Sequence, residues 1–304
     1  MEGRDIPMKK ILLCVTVFIA GMSYGLETYL SMENDTFLKR QDNDYTHGTK
    51  LEAIEAPWHF QLSQMMYAPS DLRKENHIPG DRPYCGMILG GVGYEFLNDP
   101  ETPWSHYGEL DFGMIGPASF CKETQTFIHK ILGCRKPMGW DNNQLHNEIV
   151  INGQWWTKYN YYVTDWFAVV PKVGVAAGNI QDMVEGGLDI KLGYNLKKTA
   201  NPNNTIMFSA GNPNSWQNKL SVYVFAGVSE KYFLYNHILE GSMFNHKDDD
   251  INVDIERFVT EFRTGIVVRY DRFYASYYAV FRTDEFKNQP NRPDYGGFCV
   301  GWTW

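Results

Sequence analysis

Gln125 and His129 stand four residues apart, a spacing that puts both side chains on one face of a helix. A neutral imidazole can take a proton from water near pH 7, and an amide one turn away can orient the ring or the water. Asn34 and Asp35 offer hard oxygen atoms of the kind that hold a divalent cation. Asp44-Tyr45-Thr46-His47-Gly48 adds a hydroxyl and a second histidine, and Arg73, Lys74, Asp81 and Arg82 form a mostly basic cluster. Each has an ordinary explanation when taken singly. A lone helix histidine usually packs, Asn-Asp is a turn signal, and paired cations are usually solvated. Their meaning depends on whether the elements that carry them converge.

Those elements are read from the chain end backwards. Phe298, Val300, Trp302 and Trp304 alternate with Cys299, Gly301 and Thr303, which is a strand with one apolar face. An apolar strand left as an exposed edge invites aggregation, whereas a barrel that pairs its first strand with its last has no edge. The same alternation recurs with charge on the second face. Leu110, Phe112 and Met114 oppose Glu109 and Asp111, and Leu188, Ile190 and Leu192 oppose Asp189 and Lys191. Leu220, Val222 and Val224 oppose Ser221, Tyr223 and Phe225. Phe262, Ile266 and Val268 oppose Glu261, Arg263 and Arg269. Charged inner faces suit a transmembrane barrel better than the core of a soluble sandwich.

Composition agrees. Aromatic residues make up 15% of the 304 residues, enough for girdles at two membrane interfaces. Mean hydropathy is −0.40, which excludes a bundle of membrane helices. A formal net charge of −8 argues against a nucleic-acid partner, so any phosphate-rich surface must be met by local basic clusters. Met8-Lys9-Lys10, the short apolar stretch Ile11 to Ala20 and the small residues Ser23-Tyr24-Gly25 read as a signal peptide over 1–25, with Met8 as a second candidate start. The stretch is too short to span a bilayer. That leaves 26–304 as one exported barrel domain with Cys85, Cys121, Cys134 and Cys299. A helix between Cys121 and Cys134 would hold them roughly 20 Å apart at ~1.5 Å per residue, against a ~7 Å limit for a disulfide, so that pairing is not expected.

Strands are predicted near 26–33, 46–56, 58–68, 84–97, 105–115, 144–158, 161–177, 183–194, 219–235, 255–269, 272–284 and 295–304, an all-β transmembrane antiparallel barrel of about 12 strands. With both termini in the periplasm, the connections near 34–45, 69–83, 116–143, 178–182, 236–254 and 285–294 face outward, and most are long. The opposite connection 195–218 is long as well and reads as a polar insertion. Within 116–143, Phe120, Thr124, Phe127, Ile128, Ile131 and Leu132 recur at helical spacing, and Gly133 and Pro137 end the pattern, so a short helix lies in an extracellular loop. Parity then carries Gln125, His129, Asn34, Asp35, Thr46, Arg73, Lys74 and Arg82 to one mouth of the barrel.

An ordered set of motifs now resembles a known family, the lipid A 3′-O-deacylases of Gram-negative outer membranes. They are Glu33-Asn34-Asp35, Asp44-Tyr45-Thr46-His47-Gly48, Tyr67-Ala68-Pro69-Ser70, Gly80-Asp81-Arg82-Pro83-Tyr84, Gly113-Met114-Ile115-Gly116-Pro117, Gln125-Thr126-Phe127-Ile128-His129 and Gly139-Trp140-Asp141. The resemblance implies a calcium-dependent hydrolase that removes the 3′-linked acyloxyacyl chain from lipid A in the outer membrane, by a histidine-activated water much as in secreted phospholipases. It implies His129 as general base, Gln125 as its orienting partner, Asn34 and Asp35 as Ca2+ and oxyanion-site residues with Thr46 beside them, and Arg73, Lys74 and Arg82 toward lipopolysaccharide. A monomer with its site facing the cell exterior is expected. An acidic residue expected soon after the helix is replaced by Gly133-Cys134-Arg135-Lys136.

Two other classes compete. A serine phospholipase would need a nucleophile, and the one G-x-S-x-G match, Gly21 to Gly25, falls in the signal peptide. A non-enzymatic barrel would be a channel or an adhesion scaffold, and a channel would use Glu109, Asp111, Asp189, Lys191, Arg263 and Arg269 to line a pore, although such residues more often plug a narrow barrel with ion pairs. His146, placed in a strand, reads as structural. Asp248-Asp249-Asp250 reads as a solvated charge run.

Overall fold

Alternation of apolar and polar residues over ten or more positions gives long strands, and in the computed structural model these close on themselves. The structure describes residues 26–39, 43–96, 102–196, 220–244, 246–248 and 251–304. The expected signal peptide, residues 197–218 of the expected insertion 195–218, Asp249 and Asp250 lie outside the described residues.

Twelve antiparallel strands form the wall: β1 (Glu27–Asn34), β2 (Asp44–Glu55), β3 (Trp58–Ala68), β4 (Cys85–Glu95), β5 (Trp104–Ile115), β6 (Glu148–Tyr159), β7 (Phe167–Gly178), β8 (Gln181–Tyr194), β9 (Ser221–Asn236), β10 (Phe258–Tyr270), β11 (Phe273–Arg282) and β12 (Tyr295–Thr303). Each pairs with its sequence neighbours, and β6 pairs with β7 from Asn152↔Gly178 to Lys158↔Lys172. Closure is made by β1 and β12, in register from Glu27↔Thr303 to Asn34↔Gly296. The Trp304 amide donates to the Leu26 carbonyl at 2.9 Å and its indole nitrogen to Thr28 Oγ1 at 3.1 Å. Deleting Trp304 should therefore lower the fraction of protein that reaches the closed form. The measurement is the heat-modifiable band of unboiled protein; an undiminished band would show that closure does not need this residue.

Two expected strands start late. The segment before β6 forms only one parallel bridge, Tyr84↔Gln144, because β5 ends opposite Glu148 and leaves 144–147 without a ladder partner. The segment before β7 folds back, with Tyr161–Tyr162 pairing to Val169 and Ala168.

Even-numbered residues of β3 and β4 face outward (Trp58, Phe60, Leu62; Ile88, Val92), and odd-numbered ones face the lumen. Aromatic side chains collect near the hairpin end: Trp58 with Tyr94, Phe96 with Trp155, and Trp104 with Tyr159, at centroid separations of 4.7–4.8 Å. The lumen is filled with paired charge. Arg263 meets Asp189 at 3.0 Å, Lys231 meets Glu261 at 2.9 Å, Arg269 meets Glu27 at 3.3 Å, and Asp111 accepts from Gln61 and Gln154. The plugging alternative describes these side chains. No described helix is long and apolar enough to cross a membrane.

Candidate functional site: a helix laid against the outer wall

After β5 the chain turns at Gly116, whose φ of +91° and whose contact with the His146 backbone exclude a side chain. Pro117–Ser119 makes a 3-10 turn, and helix α1 (Cys121–Leu132) follows. Gly133, at φ +69°, ends α1, and the Cys134 amide closes the last turn on the His129 carbonyl at 2.8 Å. The helix begins one residue after Phe120, the first position of the expected apolar spacing, because the 3-10 turn takes the start.

Cys121, Gln125 and His129, at i, i+4 and i+8, form the buried stripe of α1. The surface beneath is the outer wall of β3 and β4. A Cβ on Gly86 would lie 2.5 Å from Cys121 Cβ, so glycine is what lets the helix lie this close. Gln64 Nε2 donates to the Ser119 carbonyl at 2.7 Å and anchors the approach. Burial pushes the Cys121 thiol up to about 12, which makes it a packing group and not a nucleophile. The four described cysteines are all free thiols.

His129 Nδ1 bonds to the Arg135 carbonyl. A carbonyl only accepts, so Nδ1 carries the proton and Nε2 is the basic nitrogen of the neutral ring. The backbone of the Gly133-to-Lys136 run thus orients the histidine where an acidic side chain was expected. Gln125 Oε1 accepts from Trp140 Nε1 at 2.7 Å, while its Nε2 is buried without a hydrogen bond among the described residues. Trp140 is 1% exposed and packs on Tyr84 at 4.7 Å. Its motif was visible in the sequence, but its partnership with Gln125 was not.

Thr46 sits at a β-bulge. Tyr45 pairs with Tyr67 and His47 with Met66, so Thr46 has no partner position across the ladder. Tyr45 and Lys50 both face the lumen although their numbers differ in parity, and the bulge leaves Thr46 and His47 to the outer side between them. That is the side on which α1 lies, one strand away. Asn34 caps a short 3-10 turn (Asp35–Phe37), its Oδ1 accepting from the Thr36 amide at 2.8 Å and from the Thr36 hydroxyl. Asp35 is 3% exposed, and its Oδ2 accepts from the Asn43 amide at 2.6 Å. Among the described residues no three His, Cys, Asp or Glu side chains gather into a metal cluster. The buried Asp35 carboxylate suits a hard divalent cation. Asn34 suits it less, because its oxygen already takes both Thr36 donors.

Of the three expected cations, Arg73 and Lys74 are at the surface. Arg73 is held in a fork by Asp71, with both bonds at 2.7 Å, and these bonds lower the Asp71 carboxyl to about 2. Arg82 departs from the expectation of a substrate contact. It is 1% exposed, salt-bridged to Asp44 at 3.2 Å and to Glu285, and set between the Tyr67 and Phe286 rings. Burial alone would raise Glu285, but the Arg82 and Arg282 guanidiniums outweigh it and hold that carboxyl below its ordinary value. Arg82→Met should cost about 3–5 kcal/mol, because buried Asp44 loses its guanidinium and Glu285 is left with Arg282 alone. The temperature at which the folded band is lost on a gel should fall, and an unchanged temperature would contradict this placement.

His146 and Asp248 depart from the sequence reading as well. His146 lies in the loop before β6, and Asp248 is 1% exposed, not a solvated tip. Asp248 accepts from His146 Nδ1 at 2.6 Å and from the His146 amide, tying two distant loops together. No local sequence signal marks that pairing.

A family model described as "Outer membrane protein LpxR" matches residues 10–304. LpxR from Salmonella typhimurium superposes with a TM-score of 0.77 at 22% identity, over 91% of this chain and 100% of that one. The β domain of the Bordetella autotransporter Brka is far less similar, at a TM-score of 0.41 and 8% identity over 92% of this chain and 98% of that one. No curated protein sequence matches the chain. The family match spans nearly the whole sequence, and the closed twelve-stranded barrel has the matching fold. The chain therefore belongs to the LpxR family of outer-membrane β-barrels, the lipid A 3′-O-deacylases whose motifs it carries.

Proposed function

We propose that this protein hydrolyses the 3′-linked acyloxyacyl ester of lipid A at the extracellular face of the outer membrane, using His129 as the base and calcium as cofactor, and that it does so as a monomer. The observation that carries the reading is the buried Gln125–His129 pair on a helix laid against the outside of the barrel. Barrel closure does not need that helix, and a polar stripe between helix and wall has a use where a lipid headgroup lies beside it.

The chemistry follows from the side chains. His129 Nε2 takes a proton from water as the water oxygen bonds to the ester carbonyl carbon. The carbon–oxygen bond to the sugar then breaks, the acyloxyacyl chain leaves as a carboxylic acid, and the proton returns from His129 to the sugar oxygen. Gln125 Nε2 is the buried donor available to the water or the carbonyl oxygen, and Trp140 holds the amide so that this nitrogen, not Oε1, is presented. The Thr46 hydroxyl lies on the same side of the wall. When bound near Asp35, calcium would polarise the ester carbonyl and stabilise the developing oxyanion. Arg73 and Lys74 are the exposed cations suited to the phosphates or sugars of lipopolysaccharide; Arg82 instead fixes the loops behind them.

The long loops and α1 are placed outside the cell, because outer-membrane barrels have short periplasmic turns. The test is mass spectrometry of lipid A from cells with and without the protein. Loss of one acyloxyacyl group at the 3′ position supports the reading, and unaltered lipid A in cells that contain folded barrel contradicts it.

A further inference from the structure

Helix α1 has three faces, and only one of them meets protein along its length. At ~100° per residue, Cys121, Gln125 and His129 face the wall, and Lys122, Thr126 and Lys130 lie to one side of that stripe. Phe127 and Ile131 lie on the other side, 63% and 66% exposed. Phe120, at the helix start, is 63% exposed too. The polar side meets the loop layer at its start: Lys122 pairs with Asp141, and Trp140 bonds to Gln125 beside it, within a segment held over the strand ends by the Met138 amide on the Leu72 carbonyl. The apolar side is therefore turned away from the loops.

Beside the helix, the outer wall is apolar. Ile88, Met114 and Ile149 stand in register across the loop ends of β4, β5 and β6, with Phe112 and Ile151 one pair farther from the loops. Phe112, Ile149 and Ile151 are all more than half exposed, as wall residues in contact with lipid tails should be. A helix with an apolar side, a charged opposite side and cations beyond its end has the composition of one that lies in a membrane interface. Lys130 and, just past Gly133, Arg135 and Lys136 supply those cations, all exposed.

From this we infer that α1 is an interfacial helix whose Phe120–Phe127–Ile131 side is seated among the acyl chains of the outer leaflet, as a sideways continuation of the barrel's apolar band. The inference rests on the membrane placement of the barrel. It draws on the deacylase reading only for a consequence, that the ester reaches His129 from within the leaflet and not from the solvent.

Spin labels test it without reference to activity. Single cysteines replace Phe127, Ile131, Lys130 and Phe112 in turn, in a Cys134→Ser background that removes the exposed native thiol, and each labelled protein is placed in phospholipid–lipopolysaccharide vesicles. Labels at 127 and 131 should relax with dissolved oxygen and resist a water-soluble nickel chelate, like the wall label at 112 and opposite to the label at 130. If labels at 127 and 131 instead follow the label at 130, α1 does not contact lipid and the inference is overturned. A second measurement reads the consequence. Phe127→Asp with Ile131→Asp should slow hydrolysis of bilayer-embedded substrate about tenfold or more, while a short-chain ester dispersed below its micelle concentration is cleaved at the original rate. Equal slowing of both substrates would contradict arrival through the leaflet. If the lipid-contact pattern is as expected but no variant, nor the parent, hydrolyses lipid A, the interfacial helix stands and the deacylase reading fails.

Discussion

His129→Ala is expected to lower deacylation of lipid A by about 10²–10⁴-fold, the usual effect of removing a general base. The barrel should be unaffected, because α1 is fixed by Cys121 on Gly86, by Gln64 on the Ser119 carbonyl and by Trp140, none of which the substitution touches. Heat-modifiable migration checks the fold, and mass spectrometry of lipid A from the same cells checks the activity. His146→Ala is the paired control. It breaks the 2.6 Å bond to Asp248 and loosens two loops, yet it should keep most of the activity. A dead His146→Ala beside an active His129→Ala would move the base to the other histidine.

The second large effect is expected at Asp35. Asp35→Ala and excess chelator should each reduce hydrolysis by about 10²-fold or more, since a carbonyl polarised by a divalent ion loses several kcal/mol of charge stabilisation without it. Added calcium should restore the chelated wild type and leave Asp35→Ala inactive. Full activity in chelator would remove calcium from the mechanism while leaving the histidine chemistry intact. Asn34→Ala is expected to have a smaller effect on metal affinity, because the Asn34 oxygen is already engaged by the Thr36 amide and hydroxyl.

The strands were legible in the sequence because a barrel wall between lipid and a charged lumen imposes strict alternation. Leu188-Asp189-Ile190-Lys191-Leu192 shows that pattern, and the final strand closes on β1 as its aromatic face implied. The helix end at Gly133 was legible too, since only a residue tolerant of positive φ ends α1 there. Other features depend on contacts distant in the chain. Arg82 reads as one more cation in a basic loop, and only the return of Glu285, about two hundred residues later, shows that it is buried. The bulge at Thr46 comes from the register of β2 against β3, with no glycine or turn residue to announce it. His146 and Asp248 are joined across more than a hundred residues by loop packing. The orienting oxygen for His129 is a main-chain atom of Arg135, and a side-chain pattern cannot reveal a backbone acceptor.

The central claim is that a helix-borne histidine on the outside of the barrel hydrolyses an ester of lipid A with calcium. Its most direct test is purified, folded protein incubated with lipid A of defined acylation, followed by mass spectrometry of the product. The account predicts loss of a single acyloxyacyl group from the 3′ position with calcium present, no loss in chelator, and no loss with His129→Ala. Intact lipid A after incubation of the folded wild-type protein with calcium, or equal loss with His129→Ala, would contradict it.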